Sequence, residues 1–186
     1  MDPRQLFTQA TKSVAVLMKC ATPDTFTQPT PCSDWNVQQL LNHMINEVSW
    51  VPDLLAGKTI GEVGSKYDGD LVGQDPATSW QKALEAAQKA VNAADLDAVT
   101  HLSYADVPAR NYINEVGSDV LIHSWDLGQA VQCSVVFDPT LAQAVYDLVS
   151  PRAEEFKQSG LFGTPVPVPT DADIETKLLA FYGRKK

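Results

Sequence analysis

The stretch GSDVLIHSWDLGQA, from Gly117 to Ala130, holds the densest group of side chains able to do chemistry: His123, with Asp119 four residues before it and Asp126 three after. Tyr112, Ile113, Val116, Val120, Leu127, Ala130 and Val131 recur around them at helical spacing and predict an inward stripe. At about 100° per residue, His123 falls within that stripe and both acids lie along one shoulder of it. Asp119 and His123 form an i,i+4 pair with Cβ atoms about 5–6 Å apart, close enough for both to reach one metal ion. Read alone, such a pair is more often a core imidazole satisfied by a carboxylate, because a buried ring needs partners for both nitrogens.

His43 adds weight to the metal reading. It stands on the shoulder of a second apolar stripe, Val37, Leu40, Leu41, Met44, Ile45, Val48, Val51 and Leu55, one turn before Glu47. In helical bundles, metal sites are built from side chains projecting inward from facing helices. His43 from one helix with Asp119 and His123 from another makes a set of two nitrogens and one oxygen with open positions, which suits zinc or nickel. Glu47 reads as a fourth ligand, a group behind the ligands, or a solvated helix face. Asp126 either orients the second nitrogen of His123 or faces solvent. His101 reads as a surface residue. Cys32 can approach the mouth of the bundle, although an idle or buried thiol is the simpler reading. Trp35, Trp50, Trp80 and Trp125 read as packing residues, Trp125 pointing away from the stripe and toward the terminal segment.

The elements that must position these residues are legible in caps and prolines. Asp2-Pro3 predicts a preorganised start to a first helix reaching about Cys20. A Pro/Thr-rich connector follows, and then Asn36 with Gln39 forms a capping-box pattern for the helix carrying His43. Pro52 predicts a kink or break in its last turn, and Gly57 a stop. The segment KTIGEVGSKYDGDLVGQ reads as a surface loop. Asp75-Pro76 opens a third helix, with Trp80, Leu84, Ala87, Val91 and Ala94 on its apolar face, and LDAVTHLSYADVPAR reads as irregular or briefly extended. A fourth helix spans about Ala109 to Gln132, and a fifth starts at Asp138-Pro139 and is divided at Pro151. The chain closes with a proline-rich strap and a short helix whose Leu178, Leu179 and Phe181 dock it. With no clear period-two alternation, the prediction is one all-α domain over residues 1–186: an up-and-down four-helix bundle with the strap and terminal helix of 160–186 packed on it.

The bulk properties narrow the function. The chain has 186 residues, 44% of them hydrophobic, and a net charge of -9 with no basic block, so the electrostatic footprint of a nucleic-acid or anionic-membrane binder is missing. Cys20, Cys32 and Cys133 are scattered and odd in number, which predicts no disulfide framework and a reducing cytoplasm. The N-terminus does not read as a signal peptide. There is no G-x-S-x-G, no P-loop, no dinucleotide-binding glycine pattern and no H-E-x-x-H. Serine-triad hydrolysis, P-loop chemistry and dinucleotide binding therefore have no foothold.

Three ordered motifs, TPCSDWNVQQLLNHM, DVLIHSWDLGQA and VPVPTDADIETKLLAFYGR, resemble a DinB-like metal-binding group related to the N-terminal domain of mycothiol-dependent maleylpyruvate isomerase. The resemblance implies a DinB-like four-helix bundle holding a divalent metal through His43, Asp119 and His123. It places Asp119 where the isomerase has a glutamate, one methylene longer. The chain ends too soon for the isomerase's C-terminal domain, so the expectation is not maleylpyruvate isomerisation itself. It is a metal- and thiol-dependent transferase or isomerase acting on a small electrophile, with mycothiol or bacillithiol as the thiol. The alternatives are a non-catalytic metal-binding or sequestering protein, and a plain helical scaffold. The expected partners are a small-molecule substrate or thiol, with a homodimer allowed and neither nucleic acid nor membrane.

Overall fold

The computed structural model describes every residue except Ser13, Asp34 and 155–162. Among the described residues it is all-α apart from one two-stranded ribbon, and the chain separates into two compact units, Asp2–Val135 and Val136–Lys186 with Met1.

In the larger unit, α1 (Pro3–Lys12) and α2 (Val14–Cys20) cover the span predicted for the first helix. The Asp2 carboxylate accepts the Arg4 amide at 2.9 Å, with Pro3 at the first helical position. Helix α3 (Val37–Leu55) starts with the expected reciprocal cap. Asn36 Oδ1 accepts the Gln39 amide at 2.9 Å, and the Gln39 side chain accepts the Asn36 amide at 3.0 Å. The helix runs on through Pro52 to Leu55, since a proline in the last turn forfeits only one ladder bond. Gly57, at φ 83°, then turns the chain away in the left-handed region. Its stripe is buried from Val37 to Val51, but Leu54 rather than Leu55 completes it.

The glycine-rich segment after α3 is more ordered than a plain surface loop. Thr59 caps a single turn, α4 (Ile60–Val63), and Val63 and Val72 are buried. Asp53, buried near the end of α3, accepts bonds from Lys58 Nζ, Lys66 Nζ and Tyr67 Oη at 2.8, 2.5 and 2.7 Å. Asn46 donates to the Tyr67 carbonyl and Asn42 accepts the Leu71 amide. The segment is thereby held along α3 at several points.

Asp75 caps α5 (Pro76–Ala93) by accepting the Ala77 and Thr78 amides; Trp80, Ala87 and Val91 are buried on it, while Leu84 and Ala94 are only half-buried. The stretch read as irregular or extended forms an antiparallel pair, β1 (Val99–His101) and β2 (Asp106–Pro108), with Thr100 opposite Val107. Strand β2 leads directly into α6 (Ala109–Ala130), and Gln132 at φ 56° marks the turn beyond its end. Rather than presenting one stripe, α6 is buried on all sides from Val120 to Gly128, Trp125 included. Helix α3 packs against α5 and α6, α1 lies along α6, and α2 contacts α5 and α6. The α1–α6 crossing depends on Gly117: a Cβ there would meet Leu6 Cδ2 at 2.4 Å and Phe7 Cα at 3.3 Å.

One expectation is overturned in this unit. Cys20 at the end of α2 and Cys133 just beyond α6 form a disulfide across 113 residues of sequence. The packing of α2 on α6 brings the two together, a proximity that spacing along the chain does not encode.

In the smaller unit, Asp138 caps α7 (Pro139–Val149), and a 3₁₀ turn at Ser150–Arg152 follows where Pro151 predicts a division. Asp173 caps α8 (Ile174–Phe181), which packs on α7. Leu178 and Leu179 are buried as expected, whereas Tyr182 takes the buried place expected for Phe181. The strap runs beside α8, the Val166 amide donating to the Ala180 carbonyl at 2.9 Å; its residues 160–162 lie outside the described residues.

Candidate metal centre

Where α3 meets α6, His43 from one helix faces Asp119 and His123 from the other. The packing carries out what the two apolar stripes require, since each of these polar groups sits on or beside a stripe that must be buried. His43 Nε2 lies 3.0 Å from Asp119 Oδ2, and His123 Nε2 lies 3.4 Å from Asp119 Oδ1. One donor atom from each of the three falls within 4.8 Å of the other two. The imidazoles meet edge to face, with centroids 4.9 Å apart. Trp35 lies over both, 4.5 Å from the His43 ring and 5.5 Å from that of His123. It is thus a wall of the site as well as a packing residue.

Asp126 is fully buried, and its Oδ2 accepts a hydrogen bond from His123 Nδ1 at 2.9 Å. Of the two readings the sequence leaves open for it, the structure takes the orienting one. With the proton held on Nδ1, a neutral His123 presents a lone pair at Nε2, on the side facing Asp119 and His43.

The electrostatics favour a cation at this place. Burial works against charge on Asp119, yet the His123 and His43 imidazoles hold its carboxyl well below the usual carboxylate range. Burial likewise disfavours charge on His123, but Asp119 and then Asp126 push its pKa up to about 9. Two carboxylates therefore hold a positive charge between them in a partly desolvated setting. A divalent ion would satisfy the same demand, and the N,N,O donor set matches what zinc or nickel takes. On these grounds the residues present fit a metal.

Glu47 stands outside the set of converging donors. Burial first, and then the Asp119 carboxylate, raise its pKa, while His43 and His123 lower it. His101 belongs to the hairpin, where its Nδ1 pairs with Asp106 at 2.8 Å. Cys32 does approach the site, as its position before the His43 helix allows. Its sulfur joins donor atoms of His123 and Asp126 in a second group within 4.8 Å of one another. Its place just before the His43 helix was the one available signal.

Beside His43 opens a cavity of ≈ 420 Å³ lined by Trp35, Gln38, Gln39, Asn42, Asn46 and Asp70 among others. It is the size of a small-molecule cleft, with an aromatic wall and mostly uncharged amide side chains.

Residues 7–128 match the family model described as the mycothiol maleylpyruvate isomerase N-terminal domain. The span takes in His43, Asp119, His123, Asp126 and Cys32. Two curated relatives are uncharacterized proteins of Mycobacterium tuberculosis: Rv0738 of strain ATCC 25618 / H37Rv and MT0763 of strain CDC 1551 / Oshkosh. Each is 29% identical over 188 residues, covering 99% of this chain and 98% of the relative. No solved structure matches the chain.

Proposed function

The chain belongs to the mycothiol maleylpyruvate isomerase N-terminal domain family, and from that premise we propose that it binds a divalent metal and uses it, with a low-molecular-weight thiol, to transfer or isomerise a small electrophile. The observation that carries the reading is the convergence of His43, Asp119 and His123 from two helices onto one point, beside a cleft of small-molecule size.

His43 Nε2, an Asp119 oxygen and His123 Nε2 would hold the ion. When bound, the ion supplies Lewis acidity, which favours the anionic, nucleophilic form of a thiol. Everything else is the work of the chain. Asp126 keeps the Nδ1 proton of His123 in place and so aims Nε2. Asp119 supplies the negative charge that two neutral imidazoles lack. Trp35 fixes the planes of both rings and keeps water from one face of them. The amides of Gln38, Asn42 and Asn46 offer donors and acceptors without adding charge to a cleft that receives a thiol or an electrophile. Zinc or nickel as the ion, and mycothiol or bacillithiol as the thiol, are the pairings this reading favours.

Elemental analysis of protein purified without a nickel column tests the metal. The expectation is a divalent ion in the wild type, with its loss in His123→Ala and a reduced content in His43→Ala. Protein that holds no metal and takes up neither zinc nor nickel would sink the reading. Turnover is tested separately, by following metal-dependent consumption of mycothiol in the presence of small electrophiles. A protein that binds metal but consumes no thiol would be a metal-binding protein without this activity.

A further inference from the structure

Cys32, His123 and Asp126 form a second group of donors, distinct in chemistry from the first. Cys32 is half-buried, His123 is buried and the Asp126 side chain has no exposure at all. Among the described residues, Cys32 is the cysteine outside the disulfide, because Cys20 and Cys133 are bonded to each other. Any thiolate ligand this chain offers therefore comes from Cys32.

We propose that Cys32, His123 and Asp126 form an alternative seat for a thiophilic divalent cation such as zinc or cadmium. The set holds one soft sulfur, one borderline nitrogen and one hard oxygen, a mixture that zinc accepts and that the N,N,O set lacks. Binding displaces the thiol proton and the His123 Nδ1 proton to solvent, leaves the remaining ring proton on Nε2 facing Asp119, and places the thiolate sulfur on the cation. The buried Asp126 carboxylate, which otherwise depends on His123 and its remaining neighbours for compensation, gains a cation.

The two seats share His123 and are used one at a time. Asp126 lies at Nδ1 of the ring and Asp119 at Nε2, and a neutral imidazole has a single lone pair. A cation drawn to one seat removes the ring from the other. The chain thus has a hard seat at His43–Asp119–His123 and a softer one at Cys32–His123–Asp126, which makes metal identity a determinant of where the metal sits. His43 belongs to the first seat alone and Cys32 to the second alone, so the inference does not depend on the proposed thiol chemistry.

Cadmium titration of the full chain, disulfide intact, tests it through the ultraviolet charge-transfer absorption of a cadmium–thiolate bond. The expectation is a saturable band in the wild type and in His43→Ala, and its loss in Cys32→Ser and in His123→Ala. Alkylation of Cys32 in the wild type gives a readout that needs no variant to fold, and cadmium should protect the thiol. Absence of the band and of protection, or a band that survives Cys32→Ser, would overturn the proposal. Loss of all metal on His43→Ala, with no sulfur signature in any variant, would overturn it while leaving the first seat standing. A band in the wild type and in His43→Ala, together with no metal held by Cys32→Ser, would do the reverse.

Discussion

At the scale of single residues, Asp126 has leverage out of proportion to its distance from the first seat. It is fully buried and binds the far nitrogen of His123, so it decides which tautomer that ring presents. Replacing it with asparagine removes the charge and lets the side-chain amide face the ring with a donor. The Cys32→Ser background deletes the sulfur-containing seat and isolates the effect. In that background, Asp126→Asn should lower zinc affinity by about 10–100-fold, measured by competition with a chelator. Unchanged affinity would mean that the 2.9 Å bond does not orient the ligand. How much of this site could be read from sequence follows from distance along the chain. Asp119, His123 and Asp126 lie within two turns of one helix, where the 3.6-residue period fixes which face each occupies. His43 was legible because it sits beside a second stripe that must also face inward. Cys32 was legible only as a residue able to approach the mouth of the bundle, because its meeting with α6 depends on the path of the connector before α3, and no periodicity reports that path.

At the scale of elements, the caps were the most legible features. Asn36 with Gln39, Asp75-Pro76 and Asp138-Pro139 all start helices where expected, since each motif satisfies amides that the helix itself leaves orphaned. Elements stabilised by tertiary contact were less legible. The segment after α3 read as loop because its glycines outweigh its short apolar stretches, yet Asp53 holds it by three side-chain bonds. Hydrogen bonds from Lys58 and Lys66, with a further one from Tyr67, keep the Asp53 carboxyl well below the usual carboxylate range, against the effect of burial. A carboxyl depressed in the folded state stabilises the fold at pH above its unfolded value of about 3.9, and loses that contribution as the pH falls through the folded value. Asp53→Asn should therefore destabilise the protein at neutral pH by about 1–3 kcal/mol, the range for losing hydrogen bonds to a buried charged group. It should also flatten the fall in stability below about pH 4. Denaturant unfolding of both proteins across that range is the check, and a constant difference at every pH would sink the assignment.

At the scale of the whole chain, charge and covalent linkage set the terms. The net charge of -9 makes a cation welcome anywhere on the protein, so specificity must come from donor geometry, which both seats supply. Among the described residues, no helix is long and apolar enough to cross a membrane. The Cys20–Cys133 bond is the long-range feature that sequence could not disclose, and it is at odds with the reducing compartment that three scattered cysteines predict. It joins the end of α2 to the turn after α6 across 113 residues, so it denies the unfolded chain a large number of conformations. Chain-entropy scaling for a loop of that length gives about 4–5 kcal/mol, and native disulfides typically deliver about 2–4. Reduction should lower the thermal midpoint of the wild type accordingly. A Cys20→Ser, Cys133→Ser double variant should melt like the reduced wild type and be indifferent to reductant. Thiol counting provides the control, because breaking the bond raises reactive thiols from one to three. If the count rises while the midpoint stays put, the bond does not stabilise the folded chain. The bond closes the α2–α6 contact, and α6 carries Asp119, His123 and Asp126. The same melts run with saturating zinc therefore separate the linkage from the site. Zinc should raise the midpoint of the oxidised and reduced proteins alike if each retains its ligand geometry, and only that of the oxidised protein if α6 needs the tether to hold its ligands in place.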